Sequence, residues 1–179
     1  MKNDSFHVLT ALLLVVLLAA FFCTLHYLKS SPDAVSRMVG EGHIVGNHTA
    51  HHPSDCSALS RQELADEIQE VHNYMRENYG YECGYFRFPG GGYSENALEL
   101  VQSVGYHSVF WSIAYADWDT KNQPSRNQAY QTLTSRLHPG AVILLHGTSP
   151  VSAEILGDFI DYAHAEGYEF SSLDGYKYW

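Results

Sequence analysis

Cysteine is scarce in this chain. Of 179 residues only Cys23, Cys56 and Cys83 carry thiols, an odd number with no CxxC spacing. That excludes a disulfide framework and a zinc knuckle. Cys23 lies in an apolar run and reads as a small buried hydrophobe; no spacing favours a Cys56–Cys83 bridge. Positive charge is scarce too: Lys and Arg number 10 against 20 Asp and Glu, a net charge of −10. Such a balance excludes a nucleic-acid-binding surface. Repeats, low-complexity tracts and linkers are missing, which leaves one domain with enough chain for a full core. Charge is also missing from Val8–Leu25, a run broken only by Thr10 and Thr24. Two readings fit that run: a signal or membrane-spanning segment touching the bilayer through Val8–Leu25, or a buried helix running into a buried strand.

What the chain has in quantity is aromatic and histidine side chains. There are 13 Tyr, 8 Phe, 3 Trp and 11 His. Three imidazoles, His48, His51 and His52, follow the strand-like run Ile44-Val45-Gly46-Asn47. A strand ending in such a cluster delivers the side chains to the edge where open α/β sheets and barrels place their chemistry. His48 and His52 are four apart, so a helical turn would set both rings on one face, able to share one ion. Neutral imidazole is the commonest protein ligand for zinc.

Downstream, helix and strand alternate. Pro32–Val39 reads as a helix behind Ser31. Ser60 and Glu63 form a capping box for a helix to Tyr79, with Leu64, Ile68, Val71 and Met75 as its buried stripe and Gly80 as its stop. Ser94 caps a helix to Ser103. Further helices are expected over Ser125–Leu137 and Ala153–Glu166. Strands are expected at Ala20–Cys23, Ile44–Gly46, Phe86–Arg87, Ser108–Trp111, Val142–Leu145 and Tyr168–Phe170. The alternation implies a parallel sheet with helices outside. The residues that end or follow its strands, His48 to His52, Arg87, Asp117 and His146, then converge at one edge. Arg87 in an aromatic strand is costly unless paired. His146, ending a buried strand, is a candidate acid or base.

Taken together, these segments resemble the polysaccharide deacetylases, carbohydrate esterase family 4 with its NodB-homology domain, from about Ala19 to Leu173. Glu41-Gly42-His43-Ile44-Val45-Gly46-Asn47-His48-Thr49 with His52 resembles the second family motif. Phe86-Arg87-Phe88-Pro89 resembles the third, Asp117-Trp118 the fourth and Leu144-Leu145-His146 the fifth. Val109-Phe110-Trp111-Ser112 and His138-Pro139-Gly140 are most similar to the delta-lactam-biosynthetic de-N-acetylase branch, which acts on muramic acid in spore peptidoglycan.

The resemblance implies an α/β fold, a distorted parallel (β/α) barrel, and a metal-dependent hydrolase removing N-acetyl groups from cell-wall glycan outside the cytoplasm. By resemblance, His48 and His52 hold a divalent metal, zinc by ligand type, with cobalt and manganese also suited. His51 occupies a variable position and is dispensable. Gly90 gives the oxyanion a backbone N–H. His146 protonates the leaving amine and Asp117 tunes it. Arg87 orients the base, and Trp118 and Leu144 wall the acetyl pocket. The family's first motif, Thr-Phe-Asp-Asp-Gly, supplies that base and usually a third ligand, and nothing here matches it; Asp4, the only acid before Asp33, has no strand before it. Residues 1–18 then stand for the first barrel helix or for a signal or membrane segment, and 19–179 for a deacetylase domain lacking its first strand. Three functions follow as expectations: a deacetylase impaired by the missing acids, a non-catalytic remnant that binds glycan, or a membrane-anchored accessory protein.

Overall fold

The computed structural model describes residues 19–175. The expected division at residue 18 and the apolar stretch 8–18 lie outside the described residues. Strand β1 (Ala20–Cys23) leads through helices α1 (Leu25–Ser30) and α2 (Pro32–Gly40) to strand β2 (Ile44–Asn47). Helix α3 (Arg61–Tyr79), strand β3 (Tyr85–Phe86), helix α4 (Glu95–Ser103) and strand β4 (His107–Ser108) follow. Helices α5 (Arg126–Arg136) and α6 (Pro150–Ala165) complete the order. The four strands pair in parallel in sequence order, and Ile113 and Ile143 add an isolated parallel bridge.

The longest helix forms as its sequence dictates. Ser60 accepts the Glu63 N–H while the Glu63 carboxylate accepts the Ser60 N–H, closing the capping box. Its buried residues are Leu64, Ile68, Val71 and Met75. Gly80 ends it at φ 59, the left-handed region that glycine enters without a Cβ penalty. Ser94 and Ser125 cap α4 and α5 with their hydroxyls.

Strand periodicity sorts the side chains. Phe21, Cys23, Val45 and Phe86 pack outward with α1–α4 in the main core. Ala20, Phe22, Ile44 and Tyr85 form a smaller cluster with Val109. The period of two then carries His48 and Arg87 onto the second face, at the carboxyl ends of β2 and β3. A separate core of Ile113, Leu133, Ile155 and Phe159 joins α5 and α6 to the bridge.

Several expected elements differ. Residues 26–29, for which the sequence suggested no element, sit in α1, because the Thr24 hydroxyl caps a helix there by accepting the Tyr27 N–H. β3 covers Tyr85–Phe86 rather than Phe86–Arg87, and β4 stops at Ser108 rather than Trp111. Val142–Leu145 contributes one bridge instead of a strand. The N–H groups of Ser112 and Ile113 both donate to the Val142 carbonyl, which breaks the regular ladder. Tyr168–Phe170 is not a strand. Helix α6 begins before Ala153 because Ser149 caps it and Pro150 opens it. Because Ala20–Cys23 pairs with β2, Val8–Leu25 is not one continuous helix, and no helix among the described residues is long and apolar enough to cross a membrane.

Candidate active site

The end of β2 is fixed by Asn47, which is fully buried. Its amide donates to the Ile68 carbonyl (2.9 Å) and the Tyr106 hydroxyl (3.3 Å), and its Oδ1 accepts the Thr49 N–H (3.0 Å). The chain then turns through Thr49 at φ 67 and His52 at φ 53. Neither is glycine, and such conformations cost about 1–3 kcal/mol each. The Thr49 hydroxyl accepts the His52 N–H at 3.1 Å and holds the turn. The rings of His48 and His52 consequently meet edge to face with centroids 4.9 Å apart. The pair converges through a strained loop, not through the helical turn that the i, i+4 spacing suggests. His51 points elsewhere: its Nδ1 and backbone N–H both bond the Glu67 carboxylate at 2.8 Å.

His48 is buried, and its Nδ1 lies 2.7 Å from the Arg87 carbonyl oxygen. A carbonyl only accepts, so Nδ1 carries the proton and Nε2 the lone pair. Burial, and then the Arg87 charge, push this imidazole down to about 3. Arg87 is also buried, and burial lowers it to about 10, so it stays charged at neutral pH. Its Nη2 donates to His48 Nε2 at 2.8 Å. Its guanidinium lies 5.7 Å from the Phe22 ring centroid and 5.9 Å from that of Trp111. Its Nε is buried with no hydrogen-bond partner among the described residues. A buried unpaired donor costs about 1–3 kcal/mol, more when charged.

The second half of the site is satisfied throughout. Asp117 is fully buried. Its Oδ1 accepts from His146 Nδ1 (2.7 Å), and its Oδ2 accepts the His146 backbone N–H (2.7 Å) and the Ser152 hydroxyl (2.8 Å). Burial alone would raise this carboxyl, but the bonds from His146 and Ser152 outweigh it and hold the pKa below the ordinary 3.8. Tyr115 steadies Ser152 from behind, hydroxyl to hydroxyl at 2.7 Å. With Nδ1–H committed to Asp117, His146 keeps Nε2 for chemistry, and its side chain is 29% exposed.

The His146 side chain lies within electrostatic reach of His48 and opposes its protonation. The turn Pro89–Gly91 follows Arg87 directly in the chain. Gly90 has φ 64, and a Cβ there would lie 3.8 Å from the Ser54 carbonyl, so this turn adjoins the His52 loop. A Cβ on Gly91 would meet the Trp111 ring at 2.7 Å, which requires glycine at that position. Trp118 is 63% exposed beside Asp117. Leu144 is half-buried two residues before His146, its N–H on the Ile113 carbonyl at 2.9 Å. Of the residues picked from sequence, His48 touches both His52 and Arg87, Asp117 and His146 form a pair, and Gly90, Trp118 and Leu144 lie within three residues of Arg87, Asp117 and His146 along the chain. Sequence reasoning missed Asn47, Thr49, Tyr115 and Ser152. Asn47 and Thr49 stand inside the motif quoted around His48 but were given no role, and Ser149-Pro150 at a helix start was a legible signal for Ser152; no local pattern marks Tyr115.

These residues do not fit a divalent metal as they stand. The His48 tautomer is the one a ligand needs, but Arg87 occupies its lone pair. Among the described residues no group of three His, Cys, Asp or Glu side chains could hold an ion. All three cysteines are buried and free, so none forms the Cys56–Cys83 bridge considered above.

The family model described as polysaccharide deacetylase matches residues 5–109, more than half of the chain. The chain belongs to the polysaccharide deacetylase family. It is 39% identical over 155 residues to the peptidoglycan-N-acetylmuramic acid deacetylase PdaA of Bacillus subtilis, covering 86% of this chain and 59% of that one. An uncharacterized 30.6 kDa protein of Geobacillus stearothermophilus is 43% identical over 157 residues, with 87% and 59% covered. The chain thus spans about three fifths of the length of these curated relatives. The solved structure of Bacillus subtilis PdaA, a family 4 carbohydrate esterase, superposes with a TM-score of 0.83 at 38% identity, over 88% of this chain and 68% of that one. The parallel α/β arrangement of the described residues matches that esterase, although the four-stranded sheet does not close on itself.

Proposed function

We propose that the protein is an N-deacetylase of cell-wall glycan, with the N-acetylmuramic acid of peptidoglycan as its target and the cell envelope as its place of action. The muramic acid assignment is carried over from PdaA, the deacetylase with which it shares 39% identity. The observation that carries the catalytic part is the Asp117–His146 pair. Deacetylation adds water to the acetamide carbonyl carbon and breaks the C–N bond, leaving acetate and a free amine. The amine is a poor leaving group until it is protonated. His146, with Nδ1–H held by Asp117, presents Nε2 to deliver that proton. The buried Asp117 carboxylate fixes the ring and stabilises the imidazolium before transfer. In this reading the Gly90 N–H serves as the oxyanion donor and Trp118 and Leu144 wall the acetyl pocket, roles carried over from the family motifs.

The residue that takes the proton of the attacking water is not assigned among the described residues. Zinc, or cobalt or manganese, suits the two imidazoles by ligand type, but a third ligand and the removal of Arg87 from His48 are needed to hold it. This supports a second reading, a glycan-binding domain with little turnover, because Arg87 contacts the imidazole and, among the described residues, no carboxylate. Acetate release from N-acetylated peptidoglycan, with His146→Ala alongside, tests the first reading. Release that His146→Ala abolishes supports it. Saturable glycan binding with no acetate release favours the second.

A further inference from the structure

We propose that Tyr106 and His72 are positioning residues for the candidate site: they form a hydrogen-bonded relay from the exposed Glu82 carboxylate to Asn47, and so hold the turn that carries His48 and His52. The proposal rests on the reading of that turn as part of the active site. Thr49 and His52 sit at φ 67 and φ 53, and strained residues persist only where their surroundings over-determine them. Asn47 supplies that constraint by accepting the Thr49 N–H at 3.0 Å. One hydrogen of its amide meets the Ile68 carbonyl at 2.9 Å and the other the Tyr106 hydroxyl at 3.3 Å. The Tyr106 oxygen lies 2.9 Å from Nδ1 of His72, one helical turn beyond Ile68 on α3. Nε2 of His72 lies 3.2 Å from the Glu82 carboxylate, whose side chain is 65% exposed. Tyr106 itself is buried. Gly105, at φ 88, turns the chain after α4, and the Tyr106 ring packs on Phe86 with centroids 6.3 Å apart.

For a neutral imidazole the donors allow one assignment. A carboxylate only accepts, so His72 carries its proton on Nε2 and its lone pair on Nδ1. Burial pushes the Tyr106 hydroxyl above its ordinary value, so the phenol keeps its hydrogen. That hydrogen points at Nδ1, and the Tyr106 oxygen accepts from Asn47. Each bond of the relay then has one donor and one acceptor, and its direction is set at Glu82. Without the Glu82 acceptor, the other tautomer is free to form. Nδ1–H then faces the Tyr106 oxygen, and the phenol hydrogen must turn away from His72 towards the Asn47 amide, where two donors meet. A buried donor without an acceptor is costly, so the Asn47 amide shifts and the Thr49 turn loosens.

The test is amide hydrogen exchange and imidazole nitrogen-15 spectroscopy of the 179-residue chain at pH 8, with no metal added. In the parent, Nδ1 of His72 should show the shift of a bare nitrogen and Nε2 that of a protonated one; the opposite tautomer overturns the proposal. Tyr106→Phe keeps the ring and removes the hydroxyl, and should speed exchange of the Thr49 N–H about tenfold. The Val71 and Met75 N–H groups of α3 should keep the parent's rates. Glu82→Met should speed Thr49 exchange as well and put protonated nitrogen signal on Nδ1 of His72. Glu82→Gln, whose side-chain carbonyl still accepts from Nε2, should restore both parental readings. An unchanged Thr49 rate in either Tyr106→Phe or Glu82→Met overturns the proposal. So does faster exchange spread equally over α3, the mark of a general loss of stability. Should Tyr106→Phe fail to fold, the Glu82→Met and Glu82→Gln pair decides, because that side chain stands in solvent. None of these readings uses acetate release. A chain that passes them without turnover sinks the deacetylase reading alone, and one that releases acetate but fails them sinks this proposal alone.

Discussion

The site has two halves with opposite electrostatic completeness. Around Asp117 every acceptor is used: two bonds from His146 and one from Ser152 surround a fully buried carboxylate. Around Arg87 the charge is also buried, but among the described residues it hydrogen-bonds only a neutral imidazole and its Nε has no partner. One half is a finished acid, the other a cation waiting for an anion. The difference shows that burial alone does not stabilise a charge. Satisfied bonds do, and where they are missing the nearest lone pair is conscripted.

The comparison is broken most severely by Asp117→Ala. Two His146 donors and the Ser152 hydroxyl lose their acceptor, and the variant should lose about 3–5 kcal/mol in urea unfolding. A loss below 1 kcal/mol would place the dyad in solvent contact and equate the two halves. Asn47→Ala should cost about 2–3 kcal/mol, since it removes three buried bonds and the support of the Thr49 turn. The same change should separate the His48 and His52 rings, which a crystal structure of the variant would show.

Arg87→Met is expected to run the other way. Replacing an incompletely paired buried charge by an apolar side chain of similar length should stabilise the fold by about 1 kcal/mol. The contrast in sign with Asp117→Ala is the sharpest form of the comparison. Acid reads the same contrast without a substitution. His48 is held at about 3 in the fold against 6.5 unfolded, so the unfolded chain binds a proton that the folded one refuses. Stability should therefore fall as pH drops from 6.5 towards 3. Asp117, held below its ordinary 3.8, adds a further loss only as pH falls below that value. His48→Gln should flatten the first part of this slope and leave the second, read from urea midpoints across the range.

Much of the fold was legible because it rests on local chemistry. The α3 capping box, its apolar stripe and the Gly80 stop are each set by residues within one element. The candidate site residues were legible as the polar ends of apolar runs, and the family motifs named the same positions. What was illegible is set by distant partners. The ends of β4 and the loss of the Val142–Leu145 strand depend on which carbonyl two neighbouring N–H groups share. The His48–His52 approach looked helical by spacing but depends on Asn47 reaching Ile68 and Tyr106, 21 and 59 residues away. The Arg87–His48 bond spans 39 residues and was foreseen as a pairing with an acid instead.

The most direct test of the unequal halves is zinc-edge anomalous diffraction from crystals of this chain soaked with zinc in chloride, free of carboxylate. The account predicts Arg87 Nη2 still on His48 Nε2 and no zinc peak between His48 and His52. A full-occupancy zinc on both imidazoles, with Arg87 displaced and no carboxylate beside it, would contradict it.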